Sequence, residues 1–123
     1  MHNSNAMRMW MVDPRRMCRK HLLGEHVEIH MLVGSINKGI SLKGYLDEKI
    51  IEPRSMLKRH NELAAEMLLR GYKHHSPLRK PLRRPNPAYA YKIRVDVSRS
   101  KKDLSARCRV CFSDKARYKQ PDA

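Results

Sequence analysis

Several residue types are scarce in this 123-residue chain, and each scarcity excludes a class of protein. Aromatic residues make up 6% of the chain and phenylalanine occurs once, so a β-sandwich core or a sheet that stacks bases has too little material. Three cysteines argue against a disulfide scaffold, and no apolar run approaches the roughly 20 residues that cross a bilayer. The first residues also lack the basic and apolar stretches of a signal peptide. We therefore expect an all-α, cytoplasmic protein with no membrane partner.

Acidic residues are scarce as well, and the resulting charge balance indicates what kind of molecule the protein binds. The chain has 27 Lys and Arg residues against 12 Asp and Glu residues, which gives a formal charge of +15. Residues 1–69 carry 11 basic and 8 acidic side chains, whereas residues 70–123 carry 16 and 4. Such a balance favours a polyanionic partner, with nucleic acid as the leading candidate.

Apolar residues recur at steps of three and four, which is typical of amphipathic helices. Asp13-Pro14 is a start signal for the first helix, and Gly71 is a stop signal for the second. Residues 34–39 and 41–45 lack the alternation of a strand and are interpreted as turns. The predicted helices cover residues 13–36, 53–70 and about 98–111.

The fold class expected from these patterns is all-α, a single small domain of three main helices with a basic, proline-rich connector and a C-terminal arm. Four prolines between residues 77 and 87 exclude a continuous helix there and favour extended backbone. The expected organisation is a tag scar or N-terminal extension over 1–6, a helical core over 7–75, the connector over 76–92, and a C-terminal helix with a basic tail over 93–123.

Three side chains on the predicted first helix could carry chemistry. His21, Glu25 and Glu28 are spaced by four and then three residues, so they project from one side of the helix. Burial beside an apolar stripe would raise the pKa of a carboxyl and suit it to proton transfer near neutral pH. A structural alternative is that His21 and Glu25 pair only to satisfy a helix packing surface.

A single CxxC motif, Cys108 to Cys111, raises the question of a metal. Because structural zinc needs four ligands, Cys18 or the pair His74-His75 would have to complete such a site. The favoured interpretation is a buried pair of small apolar side chains on the last helix, with the two histidines in solvent. No metal ligand is therefore predicted.

Two segments resemble a known family. Residues 21–29, with the sequence HLLGEHVEI, resemble the first-helix motif of the phage-type pyrimidine dimer DNA glycosylases, the endonuclease V family. Residues 59–72 resemble that family's second-helix pattern of Arg, Glu-Leu, Ala-Glu, Leu and Arg-Gly-aromatic at the same offsets. The connecting turn, Val33-Gly34 followed by Lys38-Gly39, is similar too. The motifs keep their order and separation over roughly residues 7–75.

The resemblance implies a small all-α enzyme that removes a damaged pyrimidine, with the pyrimidine dimer as substrate, and then cuts the abasic strand as a lyase. It also implies an N-terminal α-amine as nucleophile and, by the first-helix match, Glu28 as the catalytic carboxylate. An α-amine has a pKa of about 7.7 to 8, so a useful fraction is neutral at physiological pH. The motif register assigns the amine to Met7, since Ser4-Asn5-Ala6 looks like a vector scar.

By the same resemblance, Arg8 and His21 are expected to hold the sugar-phosphate. The partner implied is double-stranded DNA, bound by a monomer without a cofactor, in a way that depends on phosphate contacts more than on base reading. The further residues predicted to contact substrate or DNA are Glu25, Arg15, Arg16, Arg83 and Arg84.

Two other functions stay open at the level of sequence. A non-catalytic, basic helical DNA-binding protein would use the same charge, with Glu25 and Glu28 as structural residues. A zinc-assisted adaptor built on Cys108 and Cys111 is a weaker alternative.

Overall fold

A computed structural model describes residues 7–73 and 76–117 of the chain. Over these ranges it contains no β-strand, only a single bridge between Ser41 and Asn86, so the all-α prediction is confirmed. No helix within the described ranges is long and apolar enough to cross a membrane. The predicted N-terminal scar, the His74-His75 pair and the last residues of the basic tail lie outside the described residues. The α-helices are α1 (Arg19–Asn37), α2 (Lys43–Asp47), α3 (Met56–Leu69) and α4 (Val97–Arg107), and short 3-10 turns cover Pro14–Arg16, Pro53–Ser55 and Ala88–Lys92.

Helices α1 and α3 pack against each other and form the centre of the molecule. Their apolar residues recur at helical spacing, so each helix turns one continuous face inward. The segment from Met9 to Val12 runs through the same core without regular secondary structure; Met9 is completely buried, and its N–H bonds the carbonyl of Ile50 at 2.8 Å. The inward residues of the two helices include Leu22, Ile29, Leu32, Ile36, Leu63 and Met67.

A buried ion pair joins the two central helices. Glu25 of α1 accepts two hydrogen bonds from the Arg59 guanidinium of α3, at 2.6 Å from Nε and 2.9 Å from Nη2. The side chains are 0% and 2% exposed, so neither charge is screened by water. Because a buried charge is costly without its partner, this pair fixes how α1 sits on α3.

Helix α1 begins later than the Asp13-Pro14 signal predicts. The Asp13 carboxylate caps the 3-10 turn by accepting from the backbone N–H of Arg15 at 3.0 Å, and the backbone becomes extended at Met17. Met17 is fully buried, and its sulfur lies 3.5 Å from the Arg59 guanidinium. The helix restarts with Cys18 as its N-cap, because burial of Met17 in the core outweighs the local start signal.

The other predicted boundaries have mixed outcomes. The second helix is confirmed apart from its first turn, which is 3-10, and Gly71 follows it with a φ of +82°. Helix α4 ends at Arg107, so the expectation that Cys108 and Cys111 lie on the last helix is wrong. Helix α2 replaces the turn predicted there; at five residues it is too short to show a periodic pattern.

The proline-rich connector packs on the end of α1 and the following turn. Its backbone is irregular from residue 76 to residue 87. The Leu82 N–H donates to the side chain of Asn37 at 2.8 Å, and the carbonyl of Asn86 accepts from the Leu42 N–H at 2.7 Å. These bonds hold the connector against the core. The chain then enters α4, whose side chains contact Arg8 and Trp10 of the N-terminal segment.

We expect Arg59→Met to lower the free energy of unfolding by about 3–5 kcal/mol, because the change leaves the Glu25 carboxylate buried without its partner. The double variant Glu25→Leu/Arg59→Met should recover most of that loss, since no unpaired charge remains. Urea unfolding measures both effects. Arg54→Met is the matched control, since Arg54 is exposed and its loss should stay within about 0.5 kcal/mol. Equal losses for Arg54→Met and Arg59→Met would contradict the importance of the buried pair.

Candidate active site

Glu28 lies on α1 at the border between the buried face and solvent. The backbone N–H of Arg8 faces its carboxylate and favours the ionised form. Burial raises the pKa of Glu28 to about 7, and the negative charge of Glu25 adds to the rise, while the positive charge of Arg8 opposes it. A carboxyl with this pKa can both give and take a proton at neutral pH.

Met7 lies one residue before the amide that faces this carboxyl. It is partly buried and packs against the hydrophobic core. Because successive Cα atoms are about 3.8 Å apart, the backbone of Met7 lies close to the amide of Arg8.

The Arg8 side chain packs against Trp10 and pairs with Asp103, and one of its nitrogen atoms lacks a hydrogen-bond partner among the described residues. Its guanidinium carbon lies 3.9 Å from the centre of the Trp10 ring, and Nη1 lies 3.5 Å from a carboxylate oxygen of Asp103. Burial lowers the pKa of Arg8, and Nε has no hydrogen-bond partner within the described part of the chain. The side chain lines an open cleft of about 780 Å³ together with Arg99 and Arg107. Asp47, Glu48 and Asp103 line the same cleft, so its three guanidinium groups stand beside three carboxylates.

His21 takes part in a different cluster from the one the sequence suggests. Its Nδ1 lies 3.1 Å from the sulfur of Cys18 and 3.7 Å from that of Cys111. The ring also meets the Trp10 ring edge-on, with 6.1 Å between the centres. The alternative in which His21 pairs with Glu25 is wrong, since cysteines surround the imidazole and Arg59 holds the carboxylate.

Glu25 faces inward, so the DNA contact predicted for it has no surface to use. Both carboxylate oxygens are engaged by Arg59, and the residue is completely buried. In this structure Glu25 supports the packing of α1 on α3 and contributes negative charge beneath Glu28. The spacing alone places Glu25 and Glu28 on one side of the helix. Their environments differ because Arg59 of α3 engages Glu25 and leaves Glu28 at the edge.

The four predicted phosphate-binding arginines are exposed, but two already have protein partners. Arg15 forms an ion pair with Asp13 at 2.8 Å, and Arg16 donates to the carbonyl of Phe112 at 2.6 Å. Arg83 and Arg84 lie in the connector on the surface.

Sequence reasoning did not single out Gly24, which lies one helical turn before Glu28 on the same face. A Cβ built at Gly24 meets no heavy atom within 4 Å, so the space in front of the helix is open there. A glycine inside a helix lowers stability by about 1 kcal/mol relative to alanine. Its presence within the predicted helix was therefore the feature of the sequence that could have pointed to a function at this position. Trp10 and Asp103, which position Arg8, were missed too; the former is the only tryptophan in the chain.

Comparison with known proteins identifies the family of this chain. Searches of curated proteins and of solved structures give no match. A family model described as pyrimidine dimer DNA glycosylase matches residues 7–80, more than half of the chain. The matched region contains α1, α3 and the carboxyl of Glu28 with its neighbours at residues 7 and 8. The chain therefore belongs to the pyrimidine dimer DNA glycosylase family.

Proposed function

We propose that this protein excises pyrimidine dimers from double-stranded DNA and then cleaves the abasic strand, with the α-amine of Met7 as nucleophile and Glu28 as the proton carrier. The observation that carries the proposal is the position of the Arg8 amide, which faces the half-buried carboxylate of Glu28. It keeps residue 7 beside a carboxyl whose pKa is about 7. Membership of the glycosylase family supplies the DNA substrate.

The amine acts first in this mechanism. A neutral α-amine at Met7 attacks C1′ of the damaged nucleotide, a nitrogen–carbon bond forms, and the bond from C1′ to the base breaks. Opening of the sugar ring gives an imine between the amine and C1′. Removal of a C2′ proton then breaks the C3′–O bond and releases the 3′ phosphate, after which water hydrolyses the imine. An α-amine suits this task because its pKa of about 8 is well below that of lysine.

Glu28 transfers a proton both when the base leaves and in the later steps. Protonated, it helps the base to leave; ionised, it takes up a proton during ring opening or elimination. Its pKa of about 7 lets both forms exist at neutral pH. Glu25 beneath it is held by Arg59 and has no free oxygen for such a role.

Arg8 suits the binding of the sugar-phosphate next to the reacting carbon. The side chain packs against Trp10 and also lines the open cleft, so a phosphate in the cleft would pair with its guanidinium. The net charge of +15 provides the sequence-independent attraction to the duplex, while extrusion of the damaged nucleotide brings it to Glu28.

Borohydride trapping on an oligonucleotide with an abasic site tests the nucleophile. Borohydride reduces an imine to a stable amine, so covalent complexes remain on a denaturing gel. In the 123-residue chain the nitrogen of Met7 belongs to a peptide bond and cannot attack. We expect an adduct with a version that begins at Met7 and none with the longer chain. An adduct with both would assign the chemistry to another amine, and salt-dependent binding without any adduct would favour a non-catalytic DNA-binding protein.

Glu28→Gln, made in the version that begins at Met7, tests the carboxyl. We expect excision to fall by about 10²–10⁴-fold, the usual contribution of general acid–base catalysis, with DNA binding retained. Glu62→Gln is the matched control, since Glu62 lies at the surface of α3 and should leave the rate unchanged.

The pH dependence of stability shows whether Glu28→Gln remains folded. The folded-state pKa of Glu28 lies above its ordinary value, so ionisation destabilises the native state as the pH rises from about 4.5 to 7. Glutamine removes this cost. We expect the variant to be at least as stable as the parent at pH 8, with the advantage vanishing toward pH 4. A loss of stability at pH 8 would instead make Glu28 a structural residue.

The open space at Gly24 leads to a separate prediction. Gly24→Ala should stabilise the protein by about 0.5–1 kcal/mol, because the new Cβ meets nothing and helix propensity improves. Gly24→Leu should fold as well but reduce excision by about tenfold or more, because its side chain occupies the approach to Glu28. Gly34→Leu is the control: Gly34 is equally open, on the same helix, and ten residues further along. If the two leucine variants were equally active, the substrate would not approach Glu28 across the face of the helix that contains Gly24.

A further inference from the structure

Four potential metal ligands converge at the junction between the first and last helices. Cys18 caps the start of α1 and His21 lies in its first turn, while Cys108 caps the end of α4 and Cys111 lies in the turn that follows. Their three sulfur atoms and one imidazole nitrogen all lie within 4.8 Å of one another. The chain contains three cysteines in all, and every one of them is in this cluster.

The separations of these atoms match a tetrahedral ion. The Cys18 sulfur lies 3.8 Å from the Cys108 sulfur and 3.1 Å from the His21 Nδ1, and the Cys111 sulfur lies 3.7 Å from the same nitrogen. Zinc bonds of about 2.3 Å to sulfur and about 2.0 Å to nitrogen would set ligand-to-ligand distances of roughly 3.5–3.8 Å in a tetrahedron. Of these three separations, only that between Cys18 and His21 is shorter than the tetrahedral value, and the other pairs lie within 4.8 Å.

Backbone amides support the sulfur atoms. The N–H of Cys18 points to the Cys111 sulfur at 3.2 Å, and the N–H of Cys111 points to the Cys108 sulfur at 3.4 Å. Such bonds favour the thiolate form that a metal needs. Two reciprocal bonds between Arg16 and Phe112, at 2.6 and 2.7 Å, hold the two chain segments together beside the cluster.

We propose that Cys18, His21, Cys108 and Cys111 bind one structural Zn²⁺ ion. Three cysteines and one histidine at tetrahedral distances are a ligand set of structural zinc, and two of the four side chains are buried, as in a closed site. An iron–sulfur cubane fits less well, because its ligands bind different irons and must stand further apart than the donors do here.

The ion would join parts of the chain that are 90 residues apart. It would fix the end of α4 against the start of α1, and α4 carries the Asp103 and Ser100 side chains that hold Arg8 and Trp10. As a ligand, His21 would have its Nδ1 on the metal, which replaces the sugar-phosphate contact implied by the family resemblance. Metal binding can be measured without DNA, so this assignment stands or falls independently of the catalytic mechanism.

Metal analysis of the full chain tests the site directly. After purification under reducing conditions and dialysis against a chelator, we expect about one zinc per chain. Protein refolded with Co²⁺ should show the visible bands of tetrahedral cobalt and the near-ultraviolet charge-transfer bands of cobalt–thiolate bonds. A folded protein with three reduced thiols and no zinc would overturn the proposal, as would a disulfide between two of the cysteines.

Variants locate the ion. Cys111→Ser should lose zinc during the same dialysis and lose the cobalt–thiolate bands. His30→Gln is the control, because His26, His30 and His60 form the other cluster of possible ligands in the described residues, with His30 and His60 sharing the carbonyl of Ser76. Zinc that survives Cys111→Ser and is lost in His30→Gln would move the ion to that cluster and overturn the assignment. If Cys111→Ser fails to fold, the cobalt spectrum of the parent protein still decides whether thiolates bind the metal.

Discussion

The buried pair of Glu25 and Arg59 is the constraint on which the rest of the structure depends. It fixes α1 on α3, and the guanidinium also reaches the sulfur of Met17, which holds the chain just before α1 begins. While Arg59 holds Glu25, its neighbour Glu28 remains half-buried at the edge of the helix. The ion pair thus sets the packing of the two central helices, and the charge of Glu25 adds to the rise that burial causes in the pKa of Glu28.

The position of the N-terminal segment depends on contacts with α4 as well as with α1. The amide of Arg8 meets Glu28 on α1, while its guanidinium is held by Trp10 and by Asp103 on α4. The carbonyl of Trp10 accepts a 2.6 Å hydrogen bond from Ser100 of the same helix. The candidate site therefore lies where α1, the segment leading into it and α4 meet, and the cysteine cluster joins the ends of the same two helices, with His21 against Trp10.

Sequence reasoning was most successful where the determinants are local. The 3.6-residue periodicity of α1 and α3 and the stop at Gly71 are properties of neighbouring residues, and these features are confirmed. It failed where a distant partner decides the outcome. Nothing in the spacing of His21 and Glu25 shows that one would meet cysteines from residues 108–111 and the other an arginine 34 residues away. The resemblance pointed to Met7 and Glu28, but the path of the N-terminal segment toward Glu28 depends on the burial of Met9 and its bond to Ile50, which the sequence does not show.

The hydrogen bond between Ser100 and Trp10 also has a consequence for biosynthesis. The two residues are separated by 90 positions, so the segment around Arg8 leaves the ribosome long before the helix that locks it exists. At typical elongation rates the interval is on the order of 10 s, during which α1 and α3 can pair while the segment around Arg8 still lacks its contacts with α4. This segment is thus made early and fixed late, and its arrangement is complete only once α4 has been translated.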